Sequence, residues 1–247
     1  GYYKKIASDF AAGDPPDVYL TNYRQFGQYA AVQGIEIELK QGEVLGLLGP
    51  NGAGKSTTMQ MLSGNLAPTR GSIQICGIDL LDHPEEAKQN IGYLPEIPPL
   101  YKELTVDEYL RFVAKLHRVE SSQILDALVR VKDRCGLNQV GKKLIGILSK
   151  GFQQRVAIAQ AIIHQPKVII LDEPSVGLDP NQIREIRELI RELGKTASII
   201  LSTHILSEVE TMNSCPAHTD AITGATGADG VGFTVTETFN LKLSQPF

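Results

Sequence analysis

Three short stretches, far apart in the chain, carry residue types suited to a polyphosphate. Gly49 to Thr57 read GPNGAGKST, a match to G-x-x-x-x-G-K-[ST] between an apolar run, EVLGLL, and a helical stretch, STTMQML. Glycines there let successive backbone N–H groups turn inward around phosphate oxygens, Lys55 reaches the β and γ phosphates, and the Ser56 hydroxyl suits Mg2+. Gly49, Asn51, Gly52, Ala53, Gly54, Lys55, Ser56 and Thr57 are the expected nucleotide cradle. A plain glycine-rich turn is the rival reading, and the flanking strand and helix weigh against it.

The second stretch, VIILDE, ends an apolar run in two acids. Asp172 is expected to hold Mg2+ through water, and Glu173, outside that coordination shell, to orient and polarise an attacking water. Two solvated acids at a strand end would be the ordinary reading, which loses force behind a phosphate loop. His204 follows SIILST at another strand end, the place where α/β folds bind ligands, and is expected at the γ phosphate and the water. His83, His117, His164 and His218 lack such a setting and are assigned to surface or packing.

The third stretch is LSKGFQQRV. Ser149 caps a helix expected to begin at Gly151 and to run through Phe152, Val156, Ile158, Ala159, Ile162 and Ile163. Lys and Gly at its start leave an open helix N-terminus, a site for an anion whose identity the stretch itself does not settle.

The elements that must position these residues alternate in type. IEIELK reads as a strand, EVLGLLG as a buried strand, KSTTMQMLSGN as a helix and GSIQICGIDL as strand segments flanked by glycines. Residues 99 to about 165 are helical in pattern: Thr105 to Glu108 form a capping box, Val106, Tyr109, Leu110, Val113 and Leu116 share a face, and QILDALVRVKDRCG stops at Gly136. KVIILDE reads as a central parallel strand. DPNQIREIRELIRELGK is a helix with Pro180 at its first position, Ile183, Ile186, Ile190 and Leu193 on one side and Gly194 at its end; SIILSTHILSEVE is strand, turn and helix. This succession predicts an α/β fold with a mixed, mainly parallel sheet.

A chain of 247 residues with a formal net charge of -4 holds a sizeable core and carries no basic field for nucleic acid. Cys76, Cys135 and Cys215 are widely separated and odd in number, against a disulfide framework and for a reducing compartment; each is expected to be a small buried or half-buried hydrophobe. No apolar run reaches the roughly 18 residues of a membrane span, and no signal segment opens the chain. Any membrane crossing is therefore expected from another chain.

Taken in order, GPNGAGKST, GYLPE, LSKGFQQR, ILDEP, SVGLD and STH resemble the ATP-binding subunit of ABC transporters, from about Gly34 to Met212. The resemblance implies a P-loop NTPase with an antiparallel β subdomain and an inserted helical subdomain over about 98–165, binding ATP and Mg2+. It implies a homodimer or paired ATPase domain, head to tail, beneath transmembrane permease subunits at the cytoplasmic face of the membrane. Ser149 and Gly151 would then contact the γ phosphate of an ATP held on the partner's loop, Gln154 would join the ATP-binding residues, and Asp179 would lie at the seam. Glu96, in YLPE, stands where the family usually has Gln, and as a carboxylate it still accepts from a metal-bound water. The YLPE loop resembles that of exporter ATPases, which makes export the expected direction.

Both ends depart from this resemblance. Phe26 fits the aromatic that stacks on adenine, with Tyr23 and Tyr29 as rivals and a packed strand aromatic as the alternative. Yet FAAGDPPDVYLTNYRQFGQYAA resembles part of extracellular sugar-binding proteins, with a strand near Val18 to Tyr23. Residues 213–247 do not follow the family; within them GFTVTETFNLKL reads as a terminal strand, and Cys215 with His218 make too few ligands for a metal site. Residues 1–33 and 213–247 therefore read as atypical ends around a sound middle, as in a chimera or mis-assembled reading frame, and Gly1 in place of Met fits a fragment. Two other readings are a soluble ABC-type ATPase factor, disfavoured without a second ATPase domain, a coiled-coil insert or a basic face, and a nucleotide-binding module without turnover.

Overall fold

Val168–Asp172, β5, is buried at every residue, because it lies between two parallel strands and under helices on both faces. The computed structural model describes residues 37, 39, 41–49, 53–68, 71–203, 221–226 and 232–236. In chain order these form β1 (Val44–Leu48), α1 (Lys55–Leu62), β2 (Gln74–Ile75), β3 (Ile78–Asp79), α2 (Pro84–Gln89), β4 (Ile91–Leu94), α3 (Val106–Leu116), α4 (Ile124–Arg134), α5 (Lys150–Ile162), β5, α6 (Pro180–Gly194), β6 (Ser198–Thr203), β7 (Ala221–Thr226) and β8 (Gly232–Thr236). The main sheet has the order β4-β5-β6-β1-β8-β7; its first four strands are parallel, and β8 and β7 extend it antiparallel beyond β1. β2 and β3 form a separate antiparallel pair. The sheet is thus mixed and mainly parallel, as expected.

Period-two alternation divides the core in two. Ile169 and Leu171 of β5, Ile199 and Leu201 of β6, and Leu94 of β4 pack with α3, α4, α5 and α6. Val168, Ile170, Ile200, Leu45, Leu47 and Ile91 face Met59 and Leu62 of α1, together with Ile73 and Ile75. Ile37 and Leu39, in IEIELK, are buried in this second core.

Several local details depart from expectation. α5 begins at Lys150, one residue before the expected start, with Ser149 as its cap. Leu116 is 63% exposed, since α3 runs past the core in its last turn. Gly194 is not a left-handed stop but the last residue of α6; a Cβ there would lie 3.0 Å from Val44, so it permits close approach to β1. Cys76 is exposed rather than buried, because Cys76 (φ 54°) and Gly77 (φ 80°) form the turn between β2 and β3, where a side chain points to solvent. Cys135 is buried as expected, and burial pushes its thiol up to about 12. The described residues of the tail form two strands, one more than anticipated: β7 arises in AITGAT, where glycine and small residues gave no strand signal. Cys215, His218, Tyr23, Phe26, Tyr29 and the strand expected near Val18 lie outside the described residues.

The free edge of β4 is covered by α5. A Cβ on Gly92 would overlap the Ala161 carbonyl, so helix and strand touch backbone to backbone. Asn90 turns its carbonyl toward β5, where it accepts from Val168 N–H. The Ile91 and Tyr93 carbonyls point the other way, toward Nε2 of His164 and Nε2 of Gln160, at 3.0 and 3.1 Å. The His164 ring stacks on His117, at the end of α3, with centroids 3.8 Å apart and planes within 4°.

Burial pushes His164 down to about 4, the His117 ring adds to this, and the Ile91 carbonyl opposes it. An unfolded chain takes up the same proton near 6.5. The stability associated with neutral His164 is therefore complete above about 6.5 and is lost as pH falls toward 4. Between pH 7.5 and pH 5, urea unfolding is expected to show a loss from this residue of roughly 1–2 kcal/mol. His164→Gln should remove that portion of the pH slope; an unchanged slope would show that His164 does not carry it.

Candidate functional site

The register of three parallel strands brings distant motifs together. Leu48, the last residue of β1, pairs with Thr203 of β6, and Ser202 of β6 pairs with Asp172 of β5. Gly49 after β1, Asp172 and Glu173 at the end of β5 and Thr203 at the end of β6 therefore lie together at the C-terminal edge of the sheet, where open α/β sheets bind ligands. His204 follows Thr203 in the chain but lies outside the described residues, as do Asn51 and Gly52.

Gly54 caps α1 in the left-handed region, at φ 89°, and no side chain caps this helix end. Its first turn holds no acid, which leaves its N–H groups and dipole available to an anion. Lys55 is 6% exposed; its Nζ donates to the Gly49 carbonyl at 2.8 Å and lies 3.5 Å from Oε1 of Glu173. Ala53 and Thr57 are among the described loop residues.

Asp172 is 3% exposed and accepts on one oxygen from two hydroxyls, Ser202 at 2.6 Å and Ser56 at 3.1 Å. Burial holds its carboxyl above the usual range and the Glu173 charge pushes the same way, against the pull of Ser202, Ser56 and Lys55. Ser56 and Asp172 together form an all-oxygen donor pair, which suits a hard cation such as Mg2+. Glu173 is buried and carries a positive φ, 48°, rare for a side chain of its size; its N–H donates to the Ser202 hydroxyl at 2.9 Å. The left-handed turn at Glu173 and the part played by Ser202 have no counterpart in the sequence reading. The pattern SIILST marked the strand but not which of its polar residues faces the acids.

The first turns of α5 are tied to the segments that follow β5. The Ser149 hydroxyl accepts from Phe152 N–H at 3.4 Å, and among the described residues Ser149 bonds only within its own turn. The Gln154 side-chain amide donates to the Pro174 carbonyl at 2.8 Å, tying α5 to the segment after Glu173. Asp179 caps α6, accepting from the N–H groups of Asn181 and Gln182, both at 3.0 Å. Gln182 then lies across Gly151: a Cβ on that glycine would be 2.8 Å from its Cδ. Glu96 is exposed, in the bend after β4, with no hydrogen bond or ion pair among the described residues, so it is not joined to Ser56 and Asp172 here.

The family described as ABC transporter matches residues 32–176. The chain belongs to that family. A second family, described as AAA domain, putative AbiEii toxin, Type IV TA system, matches residues 145–210. Bacitracin transport ATP-binding protein BcrA of Bacillus licheniformis is 41% identical over 76% of this chain and 61% of its own length. ABC transporter ATP-binding protein NatA of Bacillus subtilis is 37% identical over 74% of this chain and 75% of its own length. Among solved structures, an ATP-binding subunit of an ABC transporter superposes with a TM-score of 0.62 at 38% identity, covering 70% of this chain and 73% of the other. A dimeric ATP-binding cassette in a post-hydrolysis state with ADP and Pi has the same TM-score at 26% identity, covering 70% and 79%. The chain spans about six-tenths of the length of BcrA.

The Gly151–Gln182 contact yields a test of how this ABC chain joins its motifs. Gly151→Ala is expected to destabilise by about 0.5–1.5 kcal/mol, the cost of pushing the flexible Gln182 side chain off its rotamer. Gln182→Ala removes the clashing atoms, so the double variant should unfold at a higher temperature than additivity predicts. Additive melting shifts would show that the two residues do not press on one another.

Proposed function

We propose that this chain binds ATP with Mg2+ and hydrolyses it to power transport across a membrane, as the nucleotide-binding subunit of an ABC exporter. One observation carries the reading: at the C-terminal ends of parallel strands, Ser56 is within hydrogen-bond range of Asp172 and Lys55 within ion-pair range of the adjacent Glu173. Gly49 to Thr57 cradle the phosphates, Lys55 neutralises the β and γ oxygens, and Glu173 and His204 orient and activate the water. Ser56 and Asp172, with Glu96 from its loop, hold Mg2+, which supplies charge neutralisation at the transferred phosphate when bound. Phe26 stacks on the adenine.

Two protomers pair head to tail, so that Ser149, Gly151 and Gln154 of one meet the ATP on the other, with Asp179 at the seam. Support comes from the acid-free first turn of α5 and from the dimeric form of the related cassette with ADP and Pi. Transmembrane subunits receive the motion through the Glu96 loop, with the chain on the cytoplasmic face. Among the described residues no helix is long and apolar enough to cross a membrane. Export is favoured by the YLPE loop and by relatives named for bacitracin transport and linearmycin resistance.

Glu173→Gln keeps the size of the side chain and removes its basicity. It should lower ATP turnover by about 100-fold or more while ATP binding persists and an ATP-bound dimer accumulates. Phosphate release and size-exclusion chromatography with ATP measure the two effects; parent-like turnover would remove Glu173 from the role of base.

A further inference from the structure

Ser202 is fully buried on β6, at 0% exposure, and its register partner across the sheet is Asp172. A buried serine in a strand can satisfy its hydroxyl in many ways, most often on a nearby carbonyl. Here the single hydroxyl hydrogen goes to Asp172 Oδ1 at 2.6 Å, and an oxygen lone pair accepts the Glu173 N–H at 2.9 Å. One oxygen atom thus bonds both the side chain of the first acid and the backbone of the second.

Each bond constrains something different. Asp172 Oδ1 is also reached by Ser56 at 3.1 Å, but Ser56 belongs to the helix that follows the phosphate loop, whereas Ser202 sits inside a strand paired on both sides. The strand hydroxyl is therefore the fixed reference for the carboxylate. Glu173 has φ 48°, an unfavourable conformation for this residue type, and it persists only if its surroundings hold it. The bond to its N–H secures the peptide leading into that turn. Rotation of this peptide would swing the Glu173 side chain away from Lys55, now 3.5 Å from it.

We propose that Ser202 is a positioning residue for ATP hydrolysis, its one hydroxyl setting both the Asp172 carboxylate that faces Mg2+ and the backbone turn that aims Glu173. This rests on the function proposed above. It differs from a packing role, because a side chain of similar size without a hydroxyl should fill the same space and still fail.

The test uses Ser202→Ala and Ser202→Thr in the full chain, with Ser202→Cys replacing alanine if the alanine variant does not stay folded. Ser202→Ala should lose about 10–100-fold in kcat, the range for residues that orient metal ligands, with KM for ATP little changed. Ser202→Thr, which keeps the hydroxyl, should recover most of that loss. A second readout needs no turnover. In a Glu173→Gln background, the rise in melting temperature from ATP with EDTA should survive Ser202→Ala, while the additional rise from ATP with Mg2+ shrinks. Parent-like kcat in folded Ser202→Ala, or an undiminished Mg2+-dependent rise, overturns the inference and leaves the proposed function intact. A parent with neither turnover nor any ATP-induced rise overturns both.

Discussion

A carboxylate at the inner end of a central strand sets the terms for the rest of the structure. Asp172 is 3% exposed, and a carboxyl group so far from water requires compensation from its neighbours. Two hydroxyls and a nearby ammonium supply it, and they come from two elements: Ser202 from β6, Ser56 and Lys55 from α1. These partners reach Asp172 only when β5 lies beside β6 in the observed register and α1 packs under the sheet. A one-residue slip of β6 would turn Ser202 to the opposite face and, in one direction, bring the apolar Leu201 toward the acid. The polar cluster and the sheet register thus specify one another.

The second acid extends this logic. Glu173 leaves the strand in a left-handed turn, and the segment after it is held by Gln154 through the Pro174 carbonyl. α5 therefore links the acids to its own capped start, and Gln182 ties that start to the turn capped by Asp179. At its other end α5 covers the edge of β4 through Gly92, Gln160 and His164. One helix connects the strand edge, the acids and its own Ser149-capped start, so a displacement of α5 would be felt at all three.

Much of this was legible in the residues. The phosphate loop, the acid-tipped strand and the capping box at Thr105 carry dense local signals, and α1, β5 and α3 formed where those signals lie. Less could be read where structure depends on partners remote in the chain. Ser202 and Asp172 are 30 residues apart, and no local pattern distinguishes a serine facing a carboxylate from one facing a carbonyl. The left-handed turn at Glu173 runs against its own propensity and is sustained by tertiary contacts. β7 arises in a stretch whose glycine and small residues suggested a loop, and its ladder comes from β8. Cys76 misled because composition favours buried cysteine, whereas turn geometry at Cys76–Gly77 decides its exposure.

In the proposed head-to-tail pair, each reaction site is shared between protomers, the phosphate loop and acids from one and the start of α5 from the other. Mixing two inactive variants tests it most directly. Lys55→Ala disables the loop side, and Ser149→Glu places a negative charge at the helix start that is to receive a phosphate. Each alone should hydrolyse ATP at background rate, while an equimolar mixture should recover turnover, because a mixed dimer contains one site with neither change. A mixture as inactive as its components, or full activity in Ser149→Glu alone, would contradict a shared site.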